Sequence, residues 1–261
     1  MSKISLQMYT MRNFTKSLPE LADTVKKLSD IGFKNLQYSI PDAYDPLEVK
    51  KIFDANGIKN DSVFCPAMAL EEKRDKVAKM CEIFDTKRVR IDSIPRSLSE
   101  TASGYKMFAH YLNEMSELYA SMGIKVLYHF HSFEFIKFGN TTGIEILLNE
   151  TNPDFLLLNP DTHWIQSGGK NPADFLEKYK DRYEYIHTKD YSIAKMGPTW
   201  ENTLSRFAPV GEGNLDWDGI IKVCEKNGVQ IYAIEQDDCY GRDEFECVAS
   251  SFNFLKNILG E

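Results

Sequence analysis

The chain has 261 residues, 43% of them hydrophobic and 27% charged, the make-up of an ordinary globular protein. Its formal net charge of −8 excludes a protein whose main partner is a phosphate backbone, since that binding rests on clustered Lys and Arg. The 5 cysteines form no CxxC pair, MSKISLQMYT lacks a cationic stretch leading into a long apolar one, and no apolar run approaches the roughly 18 residues of a membrane span, so a reduced, cytoplasmic protein without nucleic-acid or membrane partners is expected.

In chain order, ISLQMYT (4–10) reads as a strand and SLPELADTVKKLSDI (17–31) as a helix, with Ser17 as N-cap and Glu20 completing a capping box. KNLQYS (34–39) pairs with DPLEVKKIFDA (45–55), and KNDSVFC (59–65) with MALEEKRDKVAKMCEIF (68–84). RVRIDS (88–93) precedes the longest helix, GYKMFAHYLNEMSELYASM (104–122), whose apolar residues recur at helical spacing. IKVLYHFH (124–131) leads to TGIEILLNE (142–150), and DFLLLNP (154–160) to NPADFLEKY (171–179). YEYIHTK (183–189) leads to DWDGIIKVCEK (216–226), and QIYAIEQ (230–236) to DEFECVASSFNFLKNIL (243–259).

A recurring joint supports this alternation: DIGFKNL (30–36), ANGIKND (55–61), SMGIKVL (121–127) and KNGVQIY (226–232) each end an amphipathic stretch at a glycine and open an apolar run. Glycine just past a helix end accepts the left-handed conformation that closes the last turn. Eight strands, each followed by a helix, are the arithmetic of an α/β fold of the (β/α)8 TIM-barrel type, expected as a single domain over 1–261. A doubly wound open sheet is set aside because MYTMRNFTKS lacks a glycine-rich turn after the first strand. The long connections 93–103, 137–142 and 190–216 all follow strands, which places them on the catalytic face of such a barrel.

Catalytic groups of a barrel sit at the C-terminal strand ends. Strands one to three end in neutral groups, among them Gln7, Gln37 and Cys65, and strand four in Arg90 and Asp92. The last four end in His129 and His131 with Glu134 beyond, in Asp161 followed by His163 and Trp164, in His187 with Lys189 and Asp190, and in Glu235 with Asp237 and Asp238. Side chains alternate along a strand, so His129 and His131 share one face and Phe130 takes the other, toward the helices. Carboxylates and imidazoles converging on one point suit a divalent cation with mixed oxygen and nitrogen ligands: Mn²⁺, Co²⁺, Zn²⁺ or Mg²⁺. The bland alternatives are Asp161 as a helix N-cap, Lys189 and Asp190 as a solvated loop, and Glu235 as part of an acidic rim. His163, Trp164, Trp200 and Phe207 offer stacking surfaces, or simply pack loops. GEGNLDW (211–217) reads either as a phosphate-cradling turn or as a turn leading to a helix capped near Asp216.

Taken together, HFHSFEF (129–135), DTHWIQSGGKNP (161–172), HTKD (187–190), GEGNLDW (211–217) and EQDD (235–238), with LQMYTMRN and GFKNLQYS earlier, resemble the sugar phosphate isomerase/epimerase proteins with a xylose isomerase-like barrel. That resemblance implies one divalent metal, manganese first, held by Asp161, His187 and Glu235. A fourth ligand comes from His129, which stands where relatives carry a glutamate, or from Glu134. His131 matches a position that acts as a base in dehydratase relatives, and Lys189 is the second catalytic candidate, with His163 and Trp164 toward the substrate. Phe130 and Gln37 depart from the family pattern, which has Asn and often Glu there. The activity so implied is a metal-dependent sugar isomerase or epimerase that abstracts a proton next to a carbonyl. The alternatives are a lyase performing β-elimination on an inosose or 3-keto-glycoside, toward which the His-x-His pair leans, and a non-catalytic sugar-binding barrel. A multi-metal endonuclease is excluded by the 5 histidines and the negative charge. The expected partner is a small sugar, with self-association left open.

Overall fold

The computed structural model describes residues 2–199 and 201–261. Strands and helices alternate along it: β1 (Ile4–Gln7), α1 (Leu18–Ile31), β2 (Asn35–Gln37), α2 (Pro46–Ala55), β3 (Lys59–Asn60), β4 (Val63–Phe64), α3 (Arg74–Ile83), β5 (Arg88–Ile91), α4 (Ala102–Ser121) and β6 (Lys125–His129). There follow β7 (Lys137–Phe138), β8 (Thr141–Thr142), α5 (Gly143–Glu150), β9 (Leu156–Asn159), α6 (Thr162–Ser167), α7 (Pro172–Lys178), β10 (Tyr185–Thr188), β11 (Asp190–Lys195), β12 (Thr203–Ala208), α8 (Trp217–Lys226), β13 (Ile231–Ile234) and α9 (Glu244–Leu259).

The repeated glycine joint does what its sequence requires. Gly32, Gly57, Gly123 and Gly228 all have φ between +64° and +127°, where a side chain costs about 1 kcal/mol or more. At the second joint the Ile58 N–H reaches back to the Phe53 carbonyl at 3.0 Å, closing α2 just before β3 opens.

Two compact units make up the chain, Met1–Asn60 with Ile186–Glu261, and Asp61–Tyr185. In the first, the sheet runs in the order β10-β13-β1-β2-β3, and β1 is parallel to both β2 and β13. Its core holds Ile4, Leu6, Leu36 and Ala233 with Leu21, Val25 and Leu28 of α1. Those α1 residues are spaced i, i+4, i+7, one stripe of a helix. Ser17 Oγ accepts the Glu20 N–H at 3.3 Å, whereas the Glu20 carboxylate turns to the Lys16 N–H at 2.9 Å, one residue short of the expected box. The expected connection 190–216 contains an antiparallel hairpin, β11 with β12.

In the second unit β4-β5-β6-β9 form a parallel sheet, and the register places the terminal residues His129 and Asn159 opposite each other. Phe108, Leu112 and Tyr119 of α4 are buried, and the Tyr119 hydroxyl donates to the Leu70 carbonyl at 2.8 Å. The helix expected from residue 68 begins only at Arg74, because the chain first makes a short 3-10 turn, Ala67–Ala69. The single strand expected over 59–65 is split into β3 and β4. Asn60 Oδ1 takes the Tyr38 N–H at 2.8 Å, so a side chain replaces the next ladder bond. No helix among the described residues is long and apolar enough to cross a membrane, and all five cysteines are buried thiols.

Candidate metal centre and active site

In the unit Asp61–Tyr185, His129 closes β6 and is 3% exposed. Its Nδ1 lies 3.2 Å from the Asn159 carbonyl oxygen on the neighbouring strand. A carbonyl can only accept, so Nδ1 carries the hydrogen and Nε2 keeps the lone pair, the form that binds a metal. Asp161, fully buried, follows β9 and is the N-cap of α6, its Oδ1 accepting the Trp164 N–H at 3.0 Å. The N-cap alternative is therefore correct. It does not compete with a ligand role, because a carboxylate offers about four lone-pair sites over two oxygens.

The His131 ring lies past the strand end, 4.8 Å from the His129 ring, 5.4 Å from Trp164 and stacked 5.6 Å from Phe133. Phe130 packs the other way, 5.7 Å from Phe175 of α7, as the alternation requires. His163 is buried edge-on against Trp164, with ring centroids 4.8 Å apart. Glu134 folds back on its own strand. Its Oε1 accepts from the Tyr128 hydroxyl at 2.7 Å and its Oε2 from the His131 N–H at 2.9 Å, with no exposed surface.

Burial pushes the Glu134 carboxyl up to about 7, against the opposing hydrogen bonds from Tyr128 and His131. A carboxyl with a raised folded-state value binds more protons folded than unfolded, so its contribution to stability falls as pH rises between its unfolded value of 4.5 and about 7. Glu134→Gln is expected to flatten that segment. Urea midpoints of both proteins at pH 5 and pH 8 (chosen as roughly bracketing the window) check it, and an unchanged slope in the variant would contradict it.

In the other unit His187, wholly buried, sits on β10. Its Nε2 lies 2.8 Å from Gln37 Oε1 on β2. Along a flat sheet in the order β10-β13-β1-β2 those strands would stand roughly 14 Å apart, three spacings of about 4.8 Å, so the sheet is strongly curled and its long side chains meet across the chord. With the Nε2 hydrogen donated to Gln37, Nδ1 faces Glu235 Oε2 at 2.9 Å. Two adjacent ligands on one ion, each at about 2.1 Å, stand about 3 Å apart. Lys189 is 1% exposed, its Nζ 3.0 Å from Glu235 Oε2 and 3.0 Å from Asp237 Oδ1. Burial, then the charge of Glu235, raises the Asp237 carboxyl, and Lys189 opposes both.

The solvated-loop alternative for Lys189 and Asp190 fails, since both are buried. Asp190 explains the GEG motif. Its Oδ2 accepts from Gly211 N–H at 2.8 Å, Gly213 N–H at 3.0 Å and the Trp217 indole at 2.7 Å, while Oδ1 takes the Tyr191 N–H at 2.7 Å. The turn cradles an internal carboxylate, and Asp216 caps α8 as expected. A Cβ at Gly213 would lie 2.3 Å from Asp190 Oδ1, which is why no side chain stands there. Asp190→Ala leaves several buried donors unsatisfied and is expected to cost about 3 kcal/mol in urea unfolding; a loss below about 0.5 kcal/mol would contradict the anchoring role.

Of the aromatic candidates, Phe207 lies 5.6 Å from Lys189 Nζ, and Trp200 falls outside the described residues. Sequence reasoning missed the Gln37–His187 bond and the Asn159 carbonyl behind His129. The one signal for Gln37 was its departure from the glutamate of similar sequences.

The model of the xylose isomerase-like TIM barrel family matches residues 25–258. An inosose dehydratase of Clostridium botulinum (strain Alaska E43 / Type E3) is 27% identical over 144 residues, 51% of this chain and 48% of that protein. The chain thus spans about half the length of the curated relatives it matches. A solved sugar phosphate isomerase/epimerase from Parabacteroides distasonis superposes with a TM-score of 0.81 at 21% identity, covering 98% of this chain and 94% of that one. A xylose isomerase-like TIM barrel protein from Mycobacterium smegmatis in complex with magnesium gives 0.72 at 14% identity over 98% and 96%. At such identities these two structures speak for the fold alone.

Proposed function

The chain belongs to the xylose isomerase-like TIM barrel family, and from that premise we propose that it is a metal-dependent lyase removing water from a cyclic keto-polyol of the inosose type. The observation that supports this reading is that each compact unit sets two buried candidate ligands at the ends of neighbouring strands: His129 and Asp161 in one, and His187, with its Nδ1 2.9 Å from Glu235 Oε2, in the other. Two neutral imidazoles and two carboxylates match a divalent cation in charge, and the mixed donors suit Mn²⁺, Co²⁺ or Zn²⁺. In this reading His129 is the fourth ligand, and Glu134, committed to Tyr128 and His131, is not. When bound, such a cation supplies Lewis-acid stabilisation of negative charge developing on a substrate oxygen.

The chain's own residues do the rest. His131 is the base that takes the proton from the carbon next to the carbonyl, with the ring held between Trp164 and Phe133. Lys189 holds Glu235 and Asp237 in place and is the candidate acid that gives the departing hydroxyl its proton, so that the hydroxyl leaves as water. His163 and Trp164 form the wall nearest the ring of the substrate.

Dehydration is preferred to the isomerase or epimerase chemistry that leads the sequence reading. Epimerisation with two bases calls for a carboxylate on each face of the substrate, whereas Glu134 is enclosed and position 37 carries an amide. The relatives named inosose dehydratase support the same branch. The test is incubation of Mn²⁺-loaded protein with an inosose in deuterated water, followed by mass spectrometry. Loss of one water, abolished by chelator, is the expected result. Deuterium wash-in without water loss would return the isomerase or epimerase reading, and binding with neither would leave a sugar-binding barrel.

A further inference from the structure

Gln37 is 1% exposed, and its two ends have different fates. Oε1 accepts from His187 Nε2 at 2.8 Å. Nε2 has no hydrogen-bond partner among the described residues. Its cross-strand neighbour Gln7 does not serve it, being turned to the Tyr9 N–H at 3.1 Å. A buried amide with unmatched hydrogens is uncommon, and it calls for a ligand or a role.

We infer that Gln37 is a two-ended positioning residue: its Oε1 fixes the tautomer of His187, and its Nε2 donates to an oxygen of the bound keto-polyol. The inference rests on the metal-dependent reading of the site. The first half follows from donor chemistry. An acceptor at Nε2 leaves the lone pair on Nδ1, the nitrogen that faces Glu235, and metal-binding histidines are regularly held by such an outer partner. The second half follows from the side-chain type. A glutamate would accept from His187 equally well but offer no hydrogen, and would set another negative charge beside Glu235. A methionine or leucine would leave the His187 N–H without its acceptor. Only an amide of this length accepts at one end and donates at the other. Keto-polyols carry carbonyl and hydroxyl oxygens, and a site with a waiting donor discriminates strongly for a ligand that satisfies it.

The test uses the full chain with Gln37→Glu and Gln37→Met. Nitrogen NMR of the metal-free protein reads the His187 tautomer, chelator competition reads Co²⁺ affinity, and calorimetry reads inosose binding. Gln37→Glu is expected to keep the Nε2–H tautomer and to hold Co²⁺ within about threefold of the parent, yet to bind the inosose about tenfold or more weakly. Gln37→Met is expected to lose the single tautomer and about 10- to 100-fold in Co²⁺ affinity. An unchanged tautomer in Gln37→Met overturns the first half. Equal inosose binding by the parent and Gln37→Glu, or no inosose binding by the parent, overturns the second. If the parent takes up no Co²⁺, the metal-dependent reading falls, while the tautomer arm still decides the role of Gln37.

Discussion

Asp161→Asn is expected to lower divalent-cation affinity by about 100-fold or more while leaving the metal-free fold intact. The substitution separates the two jobs that Asp161 holds. Asparagine caps a helix about as well as aspartate, so the bond to the Trp164 N–H at 3.0 Å survives. What disappears is a negative charge and a strong oxygen donor in a buried group proposed to hold a doubly charged ion, a larger change than the 10- to 100-fold typical of losing an outer partner. Turnover should fall in parallel and recover in part at high cation concentration. Equilibrium dialysis with Mn²⁺, alongside thermal melts of metal-free protein, checks both halves. Unchanged affinity would leave Asp161 as a cap alone, and a collapsed melt would mean that the cap, not the charge, was disturbed.

His131→Ala is expected to do the opposite: to keep the cation within about threefold and cut turnover by roughly 100- to 10,000-fold, the range for losing a general base. The half-buried ring contributes contacts to Phe133 and Trp164, while the backbone N–H of residue 131, which truncation keeps, donates to Glu134 Oε2 at 2.9 Å and holds the local turn. His129→Ala is the matched control, because that ring is proposed as a ligand and its loss should weaken cation binding by about 100-fold, leaving a site that fills only at high cation concentration. If His131→Ala loses the cation and His129→Ala does not, the two histidines have exchanged roles. If neither cation nor turnover changes, His131 is a packing residue.

The fold was largely legible because its punctuation is local. A glycine that must take positive φ marks each of four helix-to-strand joints, and the apolar runs after them have nowhere to go but a sheet. Legibility failed where distant groups replace local ones. Asn60 substitutes its side chain for a ladder bond to Tyr38 and breaks the strand in two. The helix α6 is six residues long, too short to show a periodicity, and only Asp161 as a cap announces it. The hairpin β11–β12 has a turn signal in Gly197–Pro198, but its strands lie inside a connection that the eight-strand count assigns to a loop.

The site divides in the same way. Strand-end histidines and acids could be named from alternation, since side-chain direction is a property of the strand itself. Their partners could not be, because a hydrogen bond such as His187 to Gln37 spans 150 positions and depends on the curl of the sheet. The same holds for Asp190, whose carboxylate fills a glycine turn more than twenty positions away. Glu134 stayed an open alternative for a different reason. Sequence spacing placed it within reach of the site, and only the Tyr128 hydroxyl, on its own strand, shows where it turns.

His129, Asp161, His187 and Glu235 are proposed to hold one divalent ion. Electron–nuclear double resonance on Mn²⁺-loaded protein tests it most directly, because it counts the nitrogens bound to the ion. One manganese per chain coupled to two imidazole nitrogens is expected, with one coupling lost in His129→Ala and the other in His187→Ala at saturating Mn²⁺. A spectrum showing only water ligands, or two nitrogen couplings that survive both substitutions, would contradict it.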